Sequence, residues 1–179
     1  MANSLKDDIR YQNHETRPDL AGEHLLGDTY QVIAFGIFIA AHIVDFLLIG
    51  TPQRFFHLVP LWVRLPLSAV LFSLGGWLSL FGIRIVFGEY CEDPIFRKEG
   101  MFSVVRHPIY LGAVLIYLAI LWITLSILGG LVWVGIIGLY QWLAKYEEGL
   151  IISIFGDQYR VYQKEVPMWL PRPFKKRKK

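Results

Sequence analysis

Long apolar stretches alternate with short charged ones along this chain. The first runs from Thr29 to Gly50 and closes at Thr51-Pro52; the second runs from about Leu61 to Phe87, with Arg64 and Arg84 near its ends. Spanning a bilayer takes about 20 apolar residues, so each predicts one transmembrane helix. The third stretch, Pro108 to Ala144, holds no charged residue and is too long for one span, so it predicts two short spans joined by a turn near Thr124–Gly130. It ends at Glu147-Glu148. Gly75-Gly76, midway along the second span, predicts a kink or a close helix contact.

Beyond Glu148 the pattern changes. Leu150, Ile151, Ile154, Phe155, Tyr159 and Tyr162 recur at helical spacing with Asp157, Arg160 and Lys164 between them, which predicts an amphipathic helix, interrupted at Gly156 and ended by Val166-Pro167. Trp169-Leu170-Pro171 reads as an interfacial anchor. The expected fold is therefore an all-α integral membrane protein, a bundle of four to five transmembrane helices with a C-terminal amphipathic helix. The fifth span follows if the N-terminal segment or the helix after Glu148 enters the membrane. Two parts are expected: residues 1–87, a polar N-terminus and the first two spans, and residues 88–179, the hairpin and a basic tail.

Composition agrees with this class. The chain is 54% hydrophobic and 18% charged, with a mean hydropathy of +0.41. The first 25 residues are polar and do not read as a secretory signal. Cys91 stands alone, so no intrachain disulfide and no cysteine zinc site is expected, and no metal. The net charge is +3, concentrated in the tail Arg172–Lys179. Beside a hydrophobic bundle that tail suits an anionic cytoplasmic leaflet, or serves as a solubilising tail. No basic face elsewhere points to nucleic acid. Arg97, Lys98, Arg106 and the tail place both termini and the 88–107 loop in the cytoplasm, with Arg54 and Arg64 on the opposite side.

Candidate chemistry gathers at the ends of the third stretch. In Arg106-His107-Pro108-Ile109-Tyr110-Leu111-Gly112, Pro108 suits the first helical position, which sets Arg106 and His107 beside the free N–H groups of a helix start. Tyr110 brings a hydroxyl, and Gly112 permits close approach by a ligand or a helix. A hairpin returns the chain to the side where it began, so Glu147 and Glu148 should meet Arg106 and His107. Opposite charges converging at one end of a bundle form either salt bridges or a zwitterion site, and an amino acid or S-adenosylmethionine would match the latter. Lys145 adds a cation nearby, on another helical face. On the first span His42 and Asp45 share a face at i,i+3, and a structural Asp45–Arg84 pair is expected.

Arg106-His107-Pro108-x-Tyr110-x-Gly112, a hydrophobic hairpin, Glu147-Glu148, then Phe155-Gly156-x-x-Tyr159-x-x-Tyr162 and Val166-Pro167-x-x-Leu170-Pro171 together resemble the isoprenylcysteine carboxyl methyltransferase family. The likeness covers about residues 88–173 and extends, less closely, to membrane phospholipid N-methyltransferases. It implies a membrane enzyme that transfers a methyl group from S-adenosylmethionine, bound at the cytoplasmic face of the C-terminal half. It implies cofactor contacts at His107, Pro108, Ile109, Tyr110 and Glu147, and around Ile95, Phe96, Gly100 and Phe102. A prenylated or acyl acceptor would enter from the bilayer. Arg106, helped by Lys145, would orient the acceptor carboxylate, and Glu148 would fix Arg106 or a neighbouring backbone. Phe102 stands where the family often has an aromatic hydroxyl. Leu143 stands where eukaryotic members place an Arg for the substrate carboxylate. The competing classes are a phospholipid N-methyltransferase, a membrane NADPH-dependent reductase and a non-catalytic membrane scaffold.

Overall fold

The computed structural model describes residues 26–87 and 95–171. The N-terminal 25 residues, Cys91 with its neighbours 88–94, and the basic tail 172–179 lie outside the described residues, and with them the expectations on a signal, a fifth N-terminal span and lipid contact. Among the described residues every regular element is helical: α1 Gly27–Val44, continued by a π-helical turn Asp45–Ile49, α2 Thr51–Phe55, α3 Leu61–Phe87, a short 3-10 turn Gly100–Ser103, α4 Pro108–Thr124, α5 Ile127–Phe155 and α6 Asp157–Glu165.

Among the described residues three helices are long and apolar enough to cross a membrane: Gly27–Ile49, Leu61–Val86 and Ile127–Phe155. Helix α4, at 17 residues, is the shorter fourth. Their outer faces are apolar: Trp62 is 76% exposed, Val70 62% and Leu131 66%. In water such surface would be a large sticky patch, whereas in lipid it is solvated. The fold is a membrane-type helical bundle.

Three boundaries differ from expectation. The turn of the hairpin is shorter than Thr124–Gly130, being only Leu125-Ser126. Glu147-Glu148 does not end its helix, because α5 runs on to Phe155. Leu150 to Phe155 therefore belong to the long helix, and the amphipathic helix begins at Asp157. Gly156 makes that break: its φ of +54° is a conformation that glycine enters freely and other residues resist.

The residues fall into two compact units, both discontinuous in sequence. One comprises Leu26–Ser79 with Tyr110–Leu143; the other comprises Leu80–Ile109 with residues from Ala144 on. Each draws on both sides of residue 88.

In the first of these, Phe38, fully buried, meets the Tyr117 ring edge-on at 4.9 Å. Helices α3 and α4 touch through glycine: a Cβ on Gly75 would lie 2.6 Å from the Gly112 carbonyl oxygen and 2.9 Å from Ile116. The contact alternative for Gly75 is the one realised, and Gly112 takes a helix. Gly76 faces open space. Gly75→Leu should therefore push the helices apart and cost about 1–3 kcal/mol, read as a lowered melting temperature in detergent. A variant that melts with the parent would show that the two backbones are not in contact.

Polar groups in this unit hold the hairpin turn from both sides. Arg64, 6% exposed, reaches across to donate from Nη1 to the Ile123 carbonyl at 2.7 Å, at the C-terminal end of α4 where carbonyls lack helical partners. Its guanidinium lies 4.4 Å from the Phe56 ring centroid. The N-terminus of α5 is capped with equal care. Ile127 N–H donates to Thr51 Oγ1 at 3.4 Å, Leu128 N–H to Asp45 Oδ2 at 3.0 Å, and Gly129 N–H to Ser126 Oγ at 2.9 Å. Asp45, fully buried, also accepts from Ser126 Oγ at 2.5 Å, from the Thr51 N–H at 3.3 Å and from the Thr51 hydroxyl. The expected Asp45–Arg84 pair is thus replaced by caps. Both Asp45 oxygens serve N–H and O–H donors of its own unit, and the Arg84 guanidinium sits 5.6 Å from the Phe81 ring centroid. His42 donates from Nδ1 to Phe38 O at 2.8 Å, and its ring packs on Gly129.

Candidate functional site

The site is built in the other unit, where the start of α4 meets the last turns of α5. Pro108 opens α4 and is almost completely buried. Its ring pre-sets the helical φ where no N–H is needed. Directly before it, Arg106 and His107 face Glu148 of α5. Arg106 Nε donates to Glu148 Oε1 at 2.6 Å and Nη2 to Oε2 at 3.4 Å. His107 Nε2 lies 3.1 Å from Glu148 Oε1. A carboxylate only accepts, so Nε2 carries the hydrogen. His107 Nδ1 is 3.9 Å from Glu147 Oε2. The charges expected to converge do meet, across 42 residues of sequence.

The same ion pair ties down the C-terminal segment. Arg106 Nη1 donates to the carbonyls of Gln163 at 2.8 Å and Val166 at 2.7 Å, and the Arg106 backbone N–H donates to Pro167 O at 3.0 Å. Gln163 Nε2 donates to Glu148 Oε2 at 2.8 Å. Trp169, read from sequence as an interfacial anchor, places its ring 6.1 Å from the His107 ring. Sequence reasoning passed over Gln163 and gave no sign that Trp169 would lie beside His107. A glutamine in a polar helix has no signal of its own, and the tryptophan followed the membrane-edge rule.

Beneath this network Tyr159, Tyr162 and Val166 form a buried cluster with Phe96, Ile151, Ile152 and Phe155. Phe96 meets the Phe155 ring at 4.9 Å and the Tyr159 ring at 5.2 Å, both edge-on. Tyr162 donates its hydroxyl to the Phe102 carbonyl at 2.6 Å. Burial raises the pKa of both phenols, with the Glu148 charge adding to the rise, so they stay neutral donors at physiological pH.

Ile95 and Phe102 are half-buried; Gly100, at φ +56°, lies against Ile85. Ile109 packs where a Cβ on Gly82 would come within 2.6 Å. Lys145 is exposed, and its side chain makes no hydrogen bond or ion pair among the described residues. Tyr110 and Leu143 belong to the other unit: the Tyr110 ring lies 5.0 Å from that of Tyr140, and Leu143 is fully buried. That unit also carries an open groove of about 330 Å³, mainly apolar, with Gln31, Tyr117 and Tyr140 as its polar lining.

Fold and site define an apolar helical bundle with an Arg-His-Glu-Glu cluster where the start of α4 meets the last turns of α5. The segment 63–158 matches the family model described as phospholipid methyltransferase, more than half of the chain, and the chain belongs to that family. It is similar to methanethiol S-methyltransferase of Mycobacterium tuberculosis, 35% identical over 101 residues, covering 53% of this chain and 40% of the relative. It is 37% identical over 116 residues to the methanethiol S-methyltransferase of Pseudomonas deceptionensis, covering 62% and 43%. To protein-S-isoprenylcysteine O-methyltransferase of Schizosaccharomyces pombe it is 32% identical over 93 residues, covering 49% and 38%. The chain spans about two fifths of the length of these relatives.

Proposed function

We propose that the protein is a membrane-embedded methyltransferase that uses S-adenosylmethionine and methylates a lipophilic acceptor, a carboxylate such as that of an S-isoprenylcysteine. The observation that carries this reading is the convergence of Arg106, His107, Glu147 and Glu148 inside the family-matched segment. Two carboxylates, Glu147 and Glu148, stand against the one guanidinium of Arg106, and that excess of carboxylate suits a ligand ammonium.

S-adenosylmethionine supplies a methyl group already activated by its sulfonium. The chain's residues position and desolvate. Glu147 takes the ammonium; His107, Pro108 and Ile109, with the loop at Ile95, Phe96, Gly100 and Phe102, form the wall around the ligand. Glu148 and Arg106 spend their hydrogen bonds on each other and on the C-terminal segment, so they hold that wall in place. Lys145 is then the cation left to meet an acceptor carboxylate. A carboxylate is ionised at neutral pH and needs no general base; alignment and exclusion of water are worth about 7–11 kcal/mol. The apolar outer faces of the helices suit a lipophilic acceptor that approaches from the bilayer. The positive residues favour a cytoplasmic site and a tail that meets anionic lipid.

A second reading, S-methylation of a small thiol, is favoured by the commitment of Arg106 to protein acceptors and by the names of several relatives. Calorimetry tests the shared core: the parent should bind S-adenosylmethionine, and Glu147→Ala should weaken it at least about tenfold, the equivalent of 1.4 kcal/mol. Equal binding by the variant would remove Glu147 from the site. Trial acceptors then separate the readings. N-acetyl-S-farnesylcysteine would give an alkali-labile methyl ester, and methanethiol would give dimethyl sulfide.

A further inference from the structure

Gln163 lies beyond the family-matched segment, yet it is bonded to both halves of the central ion pair. Its side-chain Nε2 donates to Glu148 Oε2 at 2.8 Å, and its backbone carbonyl accepts from Arg106 Nη1 at 2.8 Å. A carboxylate offers about four acceptor places. On Glu148 they are taken by Arg106 Nε and His107 Nε2 on one oxygen, and by Arg106 Nη2 and Gln163 Nε2 on the other. Glu148 is therefore an internal anchor, and Gln163 supplies the neutral donor that completes it.

We infer that Gln163 is a positioning residue for the ligand site, acting through Glu148 to set the orientation of His107. This rests on the cofactor reading above. Arg106 alone grips one side of the carboxylate well, since its Nη2 bond to Oε2 is long at 3.4 Å. Without the Gln163 amide, Oε2 has no short bond and the carboxylate can turn about its own axis. The His107 bond to Oε1 then goes with it. The charge of the donor matters too. The Gln163 amide faces Glu148 of α5, and the charged and titratable groups around that carboxylate are Arg106 and His107 before α4, Glu147 of α5 and, more distantly, the phenols of Tyr159 and Tyr162; Lys164 and Glu165 are the exposed chain neighbours of Gln163. A carboxyl at position 163 can donate to Glu148 only while it holds its proton.

Two variants test this by S-adenosylmethionine titration in detergent, with melting temperature recorded in parallel. Gln163→Leu should weaken binding about tenfold at every pH, the scale of one hydrogen bond to a charged group. Gln163→Glu should bind like the parent near about pH 5.5, where proximity to another carboxylate keeps it protonated, and about tenfold more weakly near about pH 8. The Gln163→Glu comparison runs on a single folded sample, so it stands even if Gln163→Leu fails to fold. If Gln163→Leu, or Gln163→Glu at the higher pH, binds as tightly as the parent, the positioning role is overturned and the cofactor reading survives. If the parent itself does not bind S-adenosylmethionine, that reading falls and the ¹⁵N resonance of His107 Nε2 decides: a shift in Gln163→Leu supports the role, and an unmoved signal overturns it.

Discussion

Glu148→Ala should be the most damaging single change at the site. It strands the Arg106 guanidinium, whose side chain is only 11% exposed, and removes the acceptor for His107 and Gln163 as well. Breaking a buried ion pair from one side costs about 3–5 kcal/mol, because the remaining charge stays out of water. Unfolding in detergent should show that loss, and limited proteolysis should show residues 156–171 released first, since Arg106 Nη1 and N–H bind their carbonyls. The physical content lies in the comparison with a paired replacement. Arg106→Met with Glu148→Leu removes both charges and should recover more than half of the lost stability, because two apolar groups need no solvation. A double variant no more stable than Glu148→Ala would mean that the carbonyl bonds of Arg106, rather than the ion pair, dominate.

Asp45→Ala should be comparably costly at the hairpin turn. The side chain is fully buried and accepts from the Thr51 and Ser126 hydroxyls and from the Thr51 and Leu128 N–H groups. Each orphaned buried donor costs about 1–3 kcal/mol, and relaxation recovers part of the sum, so a loss of about 3–5 kcal/mol is expected. Burial makes the penalty harder to escape, since the orphaned donors are closed in by protein. The turn itself adds to the demand. Leu125 sits at φ +54°, a conformation that costs a residue with a Cβ about 1–2 kcal/mol, and the caps on either side hold it there. Asp45→Asn should lose less, because its amide oxygen still accepts, although its NH₂ then faces donors. A melting curve for Asp45→Ala that overlays the parent would show that the helix start is capped by other groups.

The two substitutions show where pattern reading reaches and where it stops. Apolar run lengths located α1, α3 and the α4–α5 hairpin to within a few residues, and Pro108 marked the start of α4. The hairpin also carried the inference that Glu148 would return to Arg106 and His107, because antiparallel neighbours must bring their ends together. The end of α5 was misplaced because a charged pair was read as the edge of the apolar phase. Glu147 and Glu148 tolerate a helical interior because their partners lie inside the protein, which a one-dimensional count cannot see. Asp45 was assigned to Arg84 on charge alone. It took four uncharged donors instead, because helix ends offer N–H groups at hydrogen-bonding distance and carry no mark in the sequence.

Membrane class, the places of the apolar helices and the identity of the charged cluster thus follow from order and composition, since lipid solvation and helix length act locally along the chain. The saturation of Arg106 and Glu148 does not, nor does the part of Gln163, the seat of Trp169 beside His107, or the Gly75–Gly112 contact. Those are matters of which donor meets which acceptor across dozens of residues. Hydrogen bonds and van der Waals contacts fall away within a few tenths of an ångström, so they are settled only when the helices have packed.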